Sequence, residues 1–216
     1  MGFSLLAEAL LLAHLPNTSW TPLISKMGYA VGFLIVILGR QQLFTENTLI
    51  VVLPIFQKRD MATVYAVLRL WGVVLAANLA GTMLFALLLS KALSFPPEVE
   101  SALVQACTGA VPASFGSGFA AAVVAGWLIA LTIWLLPAAA TARVTIIFIL
   151  TYLIGLGSFY HSIAGAVKVL YAVMTGSAGW TDFLFGFLPP VLLGNIVGGV
   201  ALVAALGHAQ VAAGEA

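Results

Sequence analysis

Two apolar segments of this chain are too long to be loops and too interrupted to be ordinary membrane spans. The first reads YAVGFLIVIL, then GRQQLFTENTL at residues 39–49, then IVVLPIF. The second is apolar from Val144 to Leu156, breaks at GSFYHSI and resumes as AGAVKVLYAVM. The apolar stretch Met27–Leu38 covers only about 18 Å as a helix, short of a hydrocarbon core about 30 Å thick, so neither piece of the first segment spans alone. Backbone groups at such a break cannot be satisfied by lipid, so they must face protein or a water-filled cavity.

The rest of the chain makes the membrane reading unavoidable. Of 216 residues, 62% are hydrophobic and 7% charged, and the mean hydropathy is +1.15. At roughly 20 residues per helix such a chain holds about six spans, and the alternation of barrel strands is absent, so the spans are helical. The net charge of +1, without a Lys/Arg cluster, argues against nucleic acid as a partner. Cys107 is the single cysteine; it offers neither a disulfide framework nor metal-ligand spacing and reads as a small buried residue. No metal constellation, paired-carboxylate site or nucleophile elbow is present, so an enzyme is not expected, and no cofactor is called for.

MGFSLLAEALLLAHL is too short to span, lacks a basic leader and contains Glu8. It is expected to be the second half of a first helix whose beginning precedes this chain, not a signal peptide. Trp20 and Lys26 then read as an interfacial anchor pair. The polar, Pro/Gly-rich stretch from Ser90 to Gly118 reads as an extramembrane excursion, with a short helix begun at Pro97 and Glu98.

The two broken segments are copies of one plan. An offset of 117 residues carries Lys26 onto Arg143 and Asn78 of NLAG onto Asn195 of NIVG, and pairs Thr45 with Ser162 and Phe44 with His161. The expected fold is an all-α integral membrane protein, one channel domain over residues 1–216. It has six transmembrane helices as two inverted three-helix repeats, about 1–91 and about 113–208, each with its second helix broken. Lys58, Arg59 and Arg143 fall on one side, Lys26 and Lys91 on the other beside Glu98, Glu100 and Asp182; the first side, with both termini, is expected to be cytoplasmic.

Where two breaks meet near the midplane of such a protein, their helix ends surround a translocated solute. His161 is the one histidine at membrane depth, His14 and His208 lying near span ends, and it can hydrogen-bond a small anion or titrate. Thr45 offers a hydroxyl to a solute or to the half-helix that follows. Phe44 and Phe159 flank the breaks, either as apolar constrictions or as packing. Arg40 and Glu46 are expected either to line the substrate pathway or to pair with each other and staple the first half-loop. Lys168 either lends positive potential to an anion route or snorkels to the far interface. Asn78 and Asn195 are expected to hydrogen-bond the loop backbone of the repeat facing them, and Gly194, Gly198 and Gly199 to let helices approach closely.

LFTENTL followed by an Asn-containing helix, then FYHSIAG, then GNIVGG, resembles the formate/nitrite transporter family, and GRQQLFTENT looks like its YfdC-like branch. The resemblance implies an aquaporin-like protomer in a homopentamer with one pore per protomer, in the lipid bilayer of the bacterial inner membrane. It implies passage of small monovalent anions such as formate, nitrite or hydrosulfide, with or without a proton, past a threonine matched by Thr45 and a central histidine matched by His161. The chain departs from the family at Tyr160, where an acidic residue is usual, at Gly165, where an asparagine follows Ser-Ile-Ala, and at the charged Arg40 and Glu46. Two other functions fit the same sequence: an aquaporin-like facilitator of small neutral solutes, and a non-conducting membrane scaffold.

Overall fold

Glycine and small residues, more than large apolar ones, decide how these helices sit together. In a membrane, lipid is as apolar as leucine, so close backbone approach and hydrogen bonds hold helices against one another. The structure, a computed structural model, describes residues 1–51, 53–58 and 60–214, with backbone alone at 49, 50, 53, 56, 57 and 202–214. Arg59 and the side chain of His208 lie outside the described residues.

Every regular element among the described residues is helical. The order is α1 (Gly2–His14), α2 (Thr21–Ser25), a 3-10 turn (Lys26–Tyr29), α3 (Ala30–Leu38), α4 (Phe44–Ile50), α5 (Leu53–Lys58) and α6 (Met61–Leu87). There follow α7 (Pro97–Cys107), α8 (Phe115–Leu135), α9 (Arg143–Leu156), α10 (Ser162–Met174) and α11 (Leu188–Gly214). Among the described residues, four helical stretches are long and apolar enough to cross a membrane: Thr21–Leu38, Met61–Ala92, Phe115–Ala138 and Asp182–Ala201. The first begins at Thr21, not Met27, so the piece before the first break is longer than the sequence reading allowed, and α1, α9 and α10 are shorter apolar helices.

The starts of the elements follow their sequences. Asp60 accepts the Thr63 amide at 2.7 Å and begins α6, and Ser114 with Ser117 forms a reciprocal capping box at α8. Pro97, Glu98 and Glu100 occupy the first turn of α7, as expected from the sequence. This helix is not simply an excursion, however: Val99, Ala102, Leu103 and Ala106 are buried in an apolar cluster with Leu5 and Ala9 of α1 and Val167 and Leu170 of α10. Helix α10 is buried on nearly every face and forms the centre of the protomer.

The pairing of α8 with α11 is the most extensive in the molecule. A methyl group placed on Gly126 would lie 2.8 Å from Asn195 Cα, and one on Gly198 would lie 2.8 Å from the Trp127 amide nitrogen. Both are closer than real side chains tolerate, so these positions let the two backbones touch. Gly199 makes room on α11 for the Thr48 side chain of α4, whose Cβ would lie 2.9 Å from an added methyl, and so brings the first break to the last helix.

Candidate functional site

The two breaks have the same local construction. After α3, the Arg40 amide donates to Ile37 O at 3.1 Å and the Gln41 amide to Val36 O at 2.9 Å, with Arg40 in the left-handed region at φ 51°. After α9, the Ser158 amide donates to Gly155 O at 3.3 Å and the Phe159 amide to Ile154 O at 3.1 Å, with Ser158 at φ 52°. Each is a Schellman turn with a residue other than glycine in its left-handed position. Both chains then extend for a few residues, and helix resumes after Leu43 and after His161, each in extended conformation.

An asparagine clamps each break from the long helix that follows in the same half of the chain, not from the facing half as the sequence reading expected. Asn78 Oδ1 accepts the Phe44 amide at 3.0 Å and its Nδ2 donates to Gln42 O at 3.0 Å. Asn195 Oδ1 accepts the Ser162 amide at 2.7 Å and its Nδ2 donates to Tyr160 O at 2.9 Å and to Ala122 O at 2.8 Å. The asparagines thus satisfy backbone that lipid could not. These matching bonds correct the sequence register by one residue: within the breaks Phe44 corresponds to Ser162 and Leu43 to His161, although Asn78 still corresponds to Asn195. They also move the start of α4 forward to Phe44, inside the stretch read as a polar interruption.

His161 is 1% exposed, and its ring is held from three sides. Nδ1 accepts the amides of Ile163 and Ala164, both at 3.1 Å, so the side chain is the N-terminal cap of α10. With that nitrogen committed as an acceptor, the proton of the neutral imidazole is assigned to Nε2, which donates to Thr45 Oγ1 at 2.8 Å. Thr45 is fully buried, and its own hydroxyl proton remains available to a further acceptor. Phe33 meets the imidazole edge-on, ring centres 5.0 Å apart.

Two cavities lie near this pair: His161 lines the first, its neighbours Leu43 and Ile163 line the second, and Thr45 lines neither. One of about 70 Å³ is lined by His161, Phe159, Lys168, Lys26, Tyr29 and the Thr108–Ala110 turn, among others. The other, about 630 Å³, is lined by Gln41, Gln42, Leu43, Asn78 and Ile163 with residues of α1, α3 and α6. Phe44, by contrast, is buried with its ring 6.0 Å from that of Trp71 and lines neither cavity.

The charges fall differently from the sequence expectation. Arg40 and Glu46 form no ion pair: Arg40 is exposed at its turn, whereas Glu46 lies within the first turn of α4 with Oε1 buried and without a hydrogen bond among the described residues. Among the described residues, the ion pairs that do form centre on Glu8 of α1, which the sequence reading passed over. Its Oε2 accepts from Lys168 Nζ at 2.7 Å and its Oε1 pairs with Lys26 Nζ. Lys168 therefore does not snorkel, and Lys26 turns inward instead of anchoring with Trp20 at an interface. The Lys168 ammonium also sits over the Tyr29 ring, 5.6 Å from its centre. A lone glutamate among leucines was the available signal for this cluster; Phe33 and Leu43, inside or beside apolar runs, carried none.

Comparison with known proteins agrees with this architecture. A model of the family described as formate/nitrite transporter matches residues 1–209. Inner membrane protein YfdC of Escherichia coli strain K12 is 41% identical over 211 residues, covering 98% of this chain and 68% of that protein. A probable formate transporter of Methanothermobacter thermautotrophicus is 30% identical over 196 residues, covering 82% of this chain and 71% of that protein. Among solved structures, a pentameric formate channel with formate bound has the same fold, with TM-score 0.81 at 20% identity over 97% of this chain and 92% of that one.

Proposed function

The chain belongs to the formate/nitrite transporter family and is a membrane channel or transporter for small anions, and we propose that its route runs between the two cavities past Thr45 and His161. The observation that carries this reading is the buried His161–Thr45 hydrogen bond, with one cavity lined by His161 and a second lined by the neighbouring Leu43 and Ile163. The histidine acts as a neutral hydrogen-bond donor: its cap contacts fix the tautomer, and its donation to Thr45 leaves the threonine hydroxyl to face an anion. Phe33, Phe159, Leu43 and Ile163 supply the apolar constriction that strips water, a part the sequence reading gave to Phe44 and Phe159.

A monovalent anion of a weak acid suits this arrangement. Neutral donors in an apolar passage hold one negative charge without binding it as tightly as a fixed cation would, so it can leave again. Lys168 lends positive potential to the smaller cavity, while Arg40 and Glu46 stand away from the route. Asn78 and Asn195 keep the breaks in register.

The protomer is read as six membrane-crossing helices in two inverted three-helix repeats of aquaporin-like design, and the matched Schellman turns and asparagine clamps support that reading. It is further read as one of five identical protomers in a bacterial inner membrane, with cytoplasmic termini.

The test is flux into proteoliposomes of formate, nitrite, acetate, chloride and glycerol at acidic and neutral external pH. Formate or nitrite should move, and a His161→Asn protein that still assembles should lose that flux. Glycerol moving in place of the anions, or undiminished anion flux in the variant, would overturn the reading.

A further inference from the structure

A single carboxylate serving two ammonium groups leaves one charge over, and here the surplus faces a cavity. Lys26 and Lys168 both line the space of about 70 Å³ beside His161, and no carboxylate does. Glu8 stands behind them, 1% exposed, with each oxygen taken by one lysine. We propose that Glu8 is a specificity-determining residue, one that holds this cavity at a net charge of plus one and so favours monovalent over divalent anions. The inference rests on the anion-transport reading above and deepens it.

The position of Glu8 is built, not incidental. Helix α1 is locked against the segment that carries Lys26: a methyl on Gly28 would lie 2.6 Å from the Ala7 carbonyl carbon, so the backbones are in direct contact there. Ser4 Oγ donates to Tyr29 O at 2.6 Å and accepts the Gly32 amide at 3.0 Å, fixing the same two elements one turn away. Tyr29 in turn lies under the Lys168 ammonium. The carboxylate cannot swing into the cavity and compete with an anion, yet its charge is felt by both lysines at contact distance.

The count of charges then decides what the cavity holds. With no net charge the cavity would offer little to draw an anion out of water. With two, it would hold a divalent anion firmly at the edge of a passage whose next contacts, His161 and Thr45, are neutral donors, and the passage would be blocked. Conduction requires binding strong enough to enter and weak enough to leave, and a single surplus charge meets both conditions for a single negative charge. The small volume adds a limit on size.

The experiment compares wild type, Glu8→Gln, Lys26→Gln and the double variant in proteoliposomes, reading formate flux with sulfate as competitor. Net cavity charges are then plus one, plus two, zero and plus one. Glu8→Gln should lower the formate KM and make sulfate inhibit at about tenfold lower concentration. Lys26→Gln should raise the KM and abolish sulfate inhibition, and the double variant should return toward wild type. A merely structural Glu8 would depress flux in both Glu8 variants with no change in the formate-to-sulfate ratio, and that result overturns the proposal. Should Glu8→Gln fail to assemble, an unchanged ratio in Lys26→Gln overturns it equally. Thermal-shift titration of the detergent-solubilised proteins with sulfate reads occupancy without flux. The charge order appearing there in a protein that carries no anion would remove the transport reading and keep the charge rule; flux with an unchanged ratio would do the reverse.

Discussion

Thr45 and His161 lie 116 residues apart in the chain and 2.8 Å apart in the molecule, each at the start of a helix that resumes after a Schellman turn. The pair exists only if both breaks are held in place. Replacing Thr45 by valine leaves the Nε2–H of a buried imidazole without an acceptor, which costs about 1–3 kcal/mol. Formate flux should fall about tenfold or more for that loss, while Thr45→Ser retains most of it; proteoliposome flux with a thermal-unfolding control checks both.

The histidine has two separable duties. His161→Asn keeps a side-chain acceptor for the amides of Ile163 and Ala164 but removes the donor to Thr45, so it should assemble normally and fail to transport. His161→Ala removes the cap as well and should lose about 1 kcal/mol of stability in addition. Unfolding midpoints of the two variants, set beside their fluxes, distinguish the duties.

The tautomer can be read directly. Nitrogen-15 NMR of histidine-labelled protein should find the His161 ring with Nδ1 unprotonated and Nε2 protonated. A ring carrying its proton on Nδ1 would contradict the cap geometry.

The two asparagine clamps are unequal in burial and in bonds. Asn195 is fully buried and makes three hydrogen bonds to backbone, whereas Asn78 is half-buried and makes two. Asn195→Ala should destabilise the protein by about 3 kcal/mol and Asn78→Ala by about 1, as measured by thermal unfolding in detergent.

Arg40 and Ser158 occupy left-handed positions where a side chain is strained by about 1 kcal/mol relative to glycine. Arg40→Gly should therefore raise stability by about that amount. If Arg40 stands away from the route, formate flux in this variant stays near that of wild type.

The breaks themselves were legible because a polar stretch inside an apolar run has few explanations at membrane depth. His161, Thr45 and the two asparagines were picked out from it, since a break needs something to satisfy its backbone, but each asparagine serves the break of its own half and not the facing one. The register within the breaks was not legible to one residue: the segment from break to asparagine is one residue shorter in the second half, and nothing in an apolar helix marks where that residue went. Glu8 was missed for a different reason. Its partner Lys168 is 160 residues away, while Arg40 and Glu46 are neighbours in sequence, and proximity along the chain favoured the pair that a Schellman turn separates. The packing of Phe33 on the histidine was invisible because Phe33 sits among residues equally apolar.

Leu43 and His161 occupy the same place in the two breaks, one hydrocarbon and the other a hydrogen-bond donor. Two breaks with the same turn and the same asparagine clamp therefore present unlike faces. On the proposed route, traffic from the histidine side is greeted by polarity, and traffic from the leucine side meets an oily threshold first. A turn and a clamp used twice set no heading by themselves, and unmatched pairs such as this one give the frame a front and a back.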